Sequence, residues 1–115
     1  MLTHETARKL ALALPDVEEK PHFERSSFRV KGKIFLTLHP GGKPAMVKLS
    51  AADQSVFSLS KVYWPVPGFW GRQGATFVDL KKVSKSMFLD SLHQAWITVA
   101  PKKLRAAHPE IGHSG

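Results

Sequence analysis

Residues 26–38 read SSFRVKGKIFLTL, and this stretch decides the fold because two apolar runs flank Lys31–Gly32. The pattern predicts a β-hairpin that turns near Lys31–Gly32. The apolar residues on the two sides of the turn share one face only if the loop has an odd number of residues. We therefore expect a three-residue loop with Gly32 in the left-handed conformation. In that register the buried face carries Phe28, Val30, Ile34, Leu36 and Leu38, and the opposite, basic face carries Arg29, Lys33, Phe35, Thr37 and His39.

The segments on both sides of the hairpin predict helices and one more strand. Residues 3–14 carry an apolar stripe at helical spacing, with Thr3 as the N-cap and Pro15 as the stop. Ala45–Leu49 predicts the next strand. Ser50 opens a short helix because an acidic residue follows three positions later. The buried side of that helix is expected to consist of Val56, Phe57 and Leu59.

The C-terminal half predicts a strand followed by a long helix. Residues 76–80 alternate as a strand does, and Ser84 or Ser86 caps a helix that runs to about Val99. Pro101 suits the first turn of a short terminal helix. The apolar face of the long helix is expected to consist of Phe88, Leu92, Ala95, Trp96 and Val99.

The order of these elements predicts an α+β domain. Strands joined by tight turns, with helices at both chain ends, favour a single antiparallel β-sheet with helices packed on one face. The other sheet face would then be at least partly available. The 115 residues suit one domain, which we place at residues 1–108, with residues 109–115 as a frayed tail.

Composition indicates a protein that attracts anions. The net charge is +8, and residues 25–85 alone hold eleven basic and two acidic residues, a balance of +9. Such an excess attracts phosphate backbones, acidic proteins or anionic metabolites, although it can also serve solubility alone. The chain has no run of 18 apolar residues and no cysteine, so we expect a cytoplasmic protein without membrane contact or disulfides.

Residues 64–80, WPVPGFWGRQGATFVDL, combine aromatics, prolines and glycines in a mixture typical of a constrained loop. The glycine spacing matches neither a P-loop nor a dinucleotide fingerprint. The favoured interpretation is structural: the glycines let the backbone approach Trp64 and Trp70 closely, and those rings lie in the core. The alternative is that the rings are exposed and functional.

Catalytic and metal-binding patterns are not found in the sequence. The six histidines include no pair at compact ligand spacing. Ser84 and Ser86 have no accompanying base, and Asp53 is explained by helix capping. We therefore expect neither an enzyme nor a bound metal or cofactor.

The strongest functional candidate is a basic and aromatic surface. Cations on the hairpin, on the following strand and in the 64–80 segment could converge to contact phosphates, while an exposed ring stacks on a base or enters a groove. The predicted phosphate contacts are Arg29, Lys31, Lys33, Lys48 and Arg72, and the predicted stacking or wedge residue is Trp70.

Six stretches of the sequence match the motifs of one known family in order and spacing. They are Ala13–Glu19 (ALPDVEE), Phe28–Phe35 (FRVKGKIF), Val47–Leu49 (VKL), Trp70–Thr76 (WGRQGAT), Ala95–Trp96 and Ala100–Leu104 (APKKL). Through them, and over nearly its whole length, the chain resembles the MmcQ/YjbR family, also known as DUF419. The resemblance implies a CyaY-like fold and the description "DNA-binding". The better-known branch carries an Asn-Lys-X-His-Trp box where this chain has PGFWGRQGAT. Frataxins have a similar fold and bind iron through an acidic ridge, which this basic chain lacks.

Two functions are therefore expected from the sequence. The first is a DNA-binding module of low sequence specificity that uses the basic sheet and hairpin surface. The second is a module that binds a small anionic ligand or an acidic protein, with a pocket at the loop Trp64–Thr76 and Arg72 holding the anionic group.

Overall fold

A computed structural model describes residues 2–22 and 24–112, which form five α-helices, one 3₁₀ turn and six β-strands. The helices are α1 (His4–Leu12), α2 (Ala51–Phe57), α3 (Phe69–Arg72), α4 (Lys85–Val99) and α5 (Lys102–Ala107), and the 3₁₀ turn is Ser58–Ser60. The strands are β1 (Val17–His22), β2 (Arg25–Val30), β3 (Lys33–Leu38), β4 (Ala45–Lys48), β5 (Tyr63–Pro65) and β6 (Ala75–Val78). The strands form one antiparallel sheet in the order β1-β2-β3-β4-β6-β5.

The central hairpin differs from its predicted form in loop length. Val30 pairs with Lys33, so the loop holds only Lys31 and Gly32, whose φ angles are 51° and 82°. The left-handed Gly32 is confirmed, and the three-residue loop is wrong. Two successive positive φ angles are typical of a type I′ turn, which matches the twist of the strands.

A β-bulge supplies the extra residue that the apolar pattern requires. Arg29 pairs with Ile34 but Phe28 pairs with Leu36, so Phe35 is inserted in β3 without a partner of its own. Phe28, Phe35 and Leu36 are all fully buried. Placing Phe35 on the basic face was therefore wrong, because the bulge turns it into the core. Placing Ile34 on the buried face was also wrong, because Ile34 pairs with Arg29, shares its face and is only half-buried.

Helices cover one face of the sheet, which we call the inner face. Helix α4 packs against β2, β3 and β4, and α1 packs against β1 and β3. The α+β class with one antiparallel sheet and terminal helices is confirmed. The inner row of paired residues is Phe28, Leu36, Val47 and Thr76, all of them fully buried.

Helix α4 forms the apolar face that the sequence predicts. Its five predicted core residues are buried, and Trp96 also donates from Nε1 to the Pro15 carbonyl at 3.0 Å. The hydroxyl of Ser84 caps the helix by accepting from the Met87 amide. Thr3 and Ser50 cap α1 and α2 in the same way, as predicted.

The short helix α2 buries less than expected. Val56 is 63% exposed and Leu59 is 81% exposed, so their assignment to a buried side was wrong. The helix lies beside the edge of the sheet and reaches the core through Phe57, whose ring is 5.0 Å from that of Tyr63.

Two strands and one helical turn were not predicted. One is β1, which follows Asp16 and contains Glu18 and Glu19. Glu19 faces the helices and accepts from Arg8 Nε at 2.8 Å. Strand β5 overlaps the start of the Trp64–Leu80 segment, and helix α3 lies within that segment.

At the C-terminus Ile111 is buried against the core, so the chain packs up to this point. Residues 113–115 of the predicted tail lie outside the described residues. The boundary at residue 108 stays a prediction. Across residues 2–22 and 24–112, no helix is both long enough and apolar enough to cross a membrane.

Candidate functional site

The face of the sheet opposite α1 and α4, which we call the outer face, is crossed by one row of paired residues. Paired residues on antiparallel strands point to the same side, so this row shares one face from β1 to β5. The row consists of Lys20, Ser27, Thr37, Met46, Phe77 and Trp64. The outer face is thus polar and basic on one half and apolar and aromatic on the other.

The basic half of the outer face is organised around Ser27. Arg29 Nε donates to Ser27 Oγ at 3.1 Å, and Ser27 Oγ donates to the Lys20 carbonyl at 3.0 Å. Ser27 is fully buried, so these bonds hold the Arg29 guanidinium in a defined position. Arg25 lies on the other side of Ser27, about 13 Å from Arg29 along the strand. One acidic neighbour on this half is Glu18, whose carboxylate lies 3.8 Å from Lys20 Nζ.

The aromatic half is formed by Met46, Phe77 and Trp64 on three neighbouring strands. The rings of Trp64 and Phe77 lie 5.8 Å apart with an interplanar angle of 49°. Trp64 lies on the edge strand and is 37% exposed. Phe77 is half-buried. An aromatic pair with one exposed ring on a sheet face is a candidate for binding a planar or apolar ligand.

The remaining predicted cations lie at the end of the sheet where the β2–β3 hairpin turns. Lys31 and Lys33 are exposed at the hairpin turn, and Lys48 ends β4. Lys48 Nζ donates to the Gln73 carbonyl, which joins β4 to the segment that carries Arg72. Lys31 Nζ lies 3.8 Å from the Asp16 carboxylate, an exposed ion pair that contributes little to stability.

The predicted residues fall into two groups by position. Arg29 and Lys48 share the outer face, with β3 between their strands and roughly 10 Å between their backbones. Lys33 pairs with the buried Val30, so it does not share the face of Arg29 as predicted, and it is exposed only because it begins the strand. Lys31, Arg72 and Trp70 border the same end of the sheet from the turn and from α3.

The two tryptophans of residues 64–80, Trp64 and Trp70, are not in the core. Trp70 is 68% exposed and its neighbour Phe69 is 56% exposed, with their rings edge to face at 5.6 Å. The prediction that Trp64 and Trp70 lie in the core is therefore wrong. The glycines permit close backbone packing instead: a Cβ at Gly71 would lie 1.7 Å from the Val66 carbonyl oxygen.

Helix α3 is held in place by Gln54 on α2. The Gln54 Nε2 lies 2.9 Å from the Gly71 carbonyl, 3.2 Å from the Ala75 carbonyl and 3.1 Å from Thr76 Oγ1. These contacts tie the loop to β6 from the inner side. The Trp70 ring is therefore presented by an anchored turn.

The opposite end of the outer face holds a cationic cluster that was not predicted from the sequence. Because Ser26 pairs with Leu38, Arg25 and His39 are neighbours across β2 and β3. Together with Lys43 they border an open groove of about 490 Å³, which Glu24 and Pro40 also line. The alternation of side chains along β2 puts Arg25 on the same face as Arg29, and this period of two could have revealed the cluster from the sequence.

The pKa of His39 is lowered by burial and by the nearby charges of Arg25 and Lys43. His39 is therefore neutral at neutral pH, and its Nε2 lies 3.4 Å from Thr37 Oγ1. A bound anion would offset the two cations and favour the protonated imidazole.

Two grooves formed by described residues lie away from the predicted pocket. The first is the one beside Arg25, and the second lies at the C-terminus between Trp96, Lys102, Arg105 and Ile111. Residues 64–76 line neither groove. Within residues 2–22 and 24–112, no group of three or more His, Asp or Glu side chains is placed to hold a metal ion.

Comparisons with known proteins support the resemblance drawn from the motifs. A family model described as YjbR matches residues 12–111. Among solved structures, the chain is similar to the crystal structure of Deinococcus radiodurans protein DR2400, described as a DUF419 domain. The TM-score is 0.71 at 16% identity, and the match covers 99% of this chain and 91% of the other. No curated protein matches the chain.

Proposed function

Starting from the finding that the chain belongs to the YjbR family, we propose that it binds nucleic acid with low sequence specificity through its outer face. The observation that carries this proposal is the sheet face opposite α1 and α4, on which hydrogen-bonded cations lie beside the exposed ring of Trp64 and the half-buried ring of Phe77. Cations supply sequence-independent attraction to phosphates, and aromatic rings accept any base.

The phosphate contacts would come from the end of the outer face next to the β2–β3 turn. Arg29 and Lys48 are oriented by hydrogen bonds, so little side-chain freedom remains to be lost on binding. Lys31, Lys33 and Arg72 would extend the contact from the exposed hairpin turn and from α3. Trp70 would stack from the border of the face. These contacts address backbone phosphates and ring faces, which carry little sequence information.

The test is a fluorescence anisotropy titration of labelled DNA at increasing salt. We expect the logarithm of the association constant to fall linearly with the logarithm of the salt concentration, with a slope of about −0.9 per neutralised phosphate on duplex DNA. The double variant Arg29→Gln/Lys48→Gln should bind more weakly and with a slope smaller in magnitude by about 1.8, twice that increment.

The matched control is the double variant Lys9→Gln/Lys103→Gln, which removes the same charge from two exposed helical positions. It should retain most of the affinity. Absence of binding to any DNA at low salt, or equal losses in the two double variants, would contradict the proposal.

A second candidate function is the binding of a small anionic ligand, and the groove of Arg25, His39 and Lys43 is the observation that favours it. This groove is a better location than the Trp64–Thr76 loop, because the cations Arg25 and Lys43 lie there beside His39, which a bound anion would favour in its protonated form. Inorganic phosphate and nucleotides should raise the melting temperature of the wild type but not of Arg25→Ala. Equal shifts in both proteins would exclude the groove.

A further inference from the structure

Building on the proposed function, we infer that the nucleic acid bound on the outer face is single-stranded and that its unpaired bases stack on the Trp64–Phe77 pair. The chemistry recognised is a phosphodiester chain with accessible base faces. Neither residue was among the predicted contacts.

The width of the sheet argues against docking of this face in a duplex groove. Six strands at about 4.8 Å spacing span roughly 24 Å, whereas the major groove is about 12 Å wide. The β2–β3 hairpin alone is narrow enough to enter it. Trp64 and Phe77 lie three to four strands from β2, so they would remain outside the groove.

The aromatic pair lies on the outer face, where an unpaired base could stack on the exposed ring of Trp64. The rings lie 5.8 Å apart, and Trp64 is 37% exposed on the edge strand β5. In a duplex the base faces are covered by their neighbours, and only base edges and backbone are offered to a protein. Stacking on Trp64 therefore requires a base that is free of its partner strand.

The cations lie where the phosphates of such a strand would pass. Lys48 is on β4, next to the strand of Phe77, and Arg29 is two strands further. The path from Trp64 to Arg29 crosses four strand spacings, about 19 Å. A single strand that crosses the sheet could place bases on the aromatic half and phosphates on the basic half at the same time.

A second copy of the chain is the main competing occupant of the aromatic half. The net charge of +8 disfavours close approach of two copies through a face that also carries Lys20, Arg25 and Arg29. The same charge attracts a polyanion. Charge complementarity thus favours nucleic acid over self-association.

The experiment compares labelled oligo-dT, oligo-U and a duplex of equal length in anisotropy titrations at low salt. We expect either single strand to bind more tightly than the duplex. Trp64→Ala should weaken single-strand binding by roughly 5- to 150-fold, which corresponds to about 1–3 kcal/mol for one stacked base. Trp64→Phe should retain most of the affinity, and it keeps the test valid if the alanine variant does not fold.

Leu59→Ala serves as the matched control, because Leu59 is an exposed apolar residue in the 3₁₀ turn, and this variant should bind as the wild type does. Duplex binding that equals single-strand binding, together with an unchanged affinity in Trp64→Ala, would overturn the inference and leave the proposed function standing. Sedimentation that shows a dimer dissociated by Trp64→Ala would also overturn it. Failure of all three nucleic acids to bind would overturn the proposed function itself.

Discussion

The three tryptophans occupy three different environments, and this decides what each can do. Trp96 is fully buried with its indole N–H bonded to Pro15, whereas Trp64 is 37% exposed and Trp70 is 68% exposed. Helical spacing was sufficient to assign Trp96 to the core. The other two lie among prolines and glycines, where no period exists to assign a side, so the expectation that large rings are buried was applied wrongly to them.

The backbone conformation at Lys31 destabilises the folded protein, and a single substitution should remove this destabilisation. Its φ angle of 51° is unfavourable for a lysine, and type I′ turns prefer Asn-Gly. Lys31→Asn should raise the free energy of unfolding in urea by about 0.5–1 kcal/mol, because the exposed ion pair with Asp16 contributes little. Lys33→Asn, placed in ordinary strand backbone, should not stabilise. A destabilised Lys31→Asn would contradict the type I′ turn.

Tyr63 is the sole tyrosine of the chain, so its ionisation can be followed without interference. Burial raises its pKa to about 12, and the phenol donates to Ser91 Oγ at 2.7 Å. The unfolded phenol ionises near pH 10, so folding stability should fall as the pH rises above about 10. Phenolate absorbance of the folded protein measures the pKa, and Tyr63→Phe should remove this alkaline loss. A titration near pH 10 would contradict the buried phenol.

At the scale of the element, the apolar patterns predicted residue burial more accurately than they predicted the backbone geometry that produces it. The alternation in residues 26–38 correctly required one extra residue, but both a longer loop and a bulge satisfy that parity. Only the tertiary packing of Phe35 selects the bulge. Likewise Ser50 indicated the start of α2, but the position of α2 beside the sheet edge, which leaves Leu59 exposed, depends on contacts that no local pattern encodes.

The segment between β5 and β6 should tolerate no side chain at Gly71. A Cβ there would lie 1.7 Å from the Val66 carbonyl oxygen, and the backbone would have to move. We expect Gly71→Ala to lower the free energy of unfolding by roughly 2 kcal/mol or more. Gly41→Ala is the control, because its Cβ would meet nothing within 4 Å and only its positive φ angle disfavours alanine, at a cost of about 1 kcal/mol. Equal effects of the two substitutions on denaturant unfolding would contradict the close approach.

At the scale of the whole molecule, helices protect one side of the sheet and leave basic and aromatic side chains on the other. The charge balance of residues 25–85 predicted an anion-binding middle region, and the fold class followed from the order of elements. The division of the outer face into two halves could not be predicted, because it depends on the strand order, which brings β5 beside β6 and away from β2.

Acid should destabilise the folded protein before its carboxylates titrate. Burial lowers the pKa of both His39 and His93, with Arg25 and Lys43 adding to the effect at His39. A lowered histidine pKa means that the unfolded state binds more protons, so stability falls as the pH drops below about 6.5. Urea unfolding between pH 7.5 and pH 5 measures this loss, and His39→Gln should reduce it. Stability that rises on acidification over this range would contradict the lowered pKa values.

The indole N–H signals of the three tryptophans, followed by NMR during titration with single-stranded DNA, test the central claim most directly. Trp64 reports the outer face, Trp70 reports its border and Trp96 reports the core beneath the helices. If nucleic acid binds across the outer face, the Trp64 signal shifts progressively, that of Trp70 follows, and that of Trp96 stays in place. Unchanged Trp64 and Trp70 signals in the presence of bound DNA, or a shift confined to Trp96, would contradict the claim.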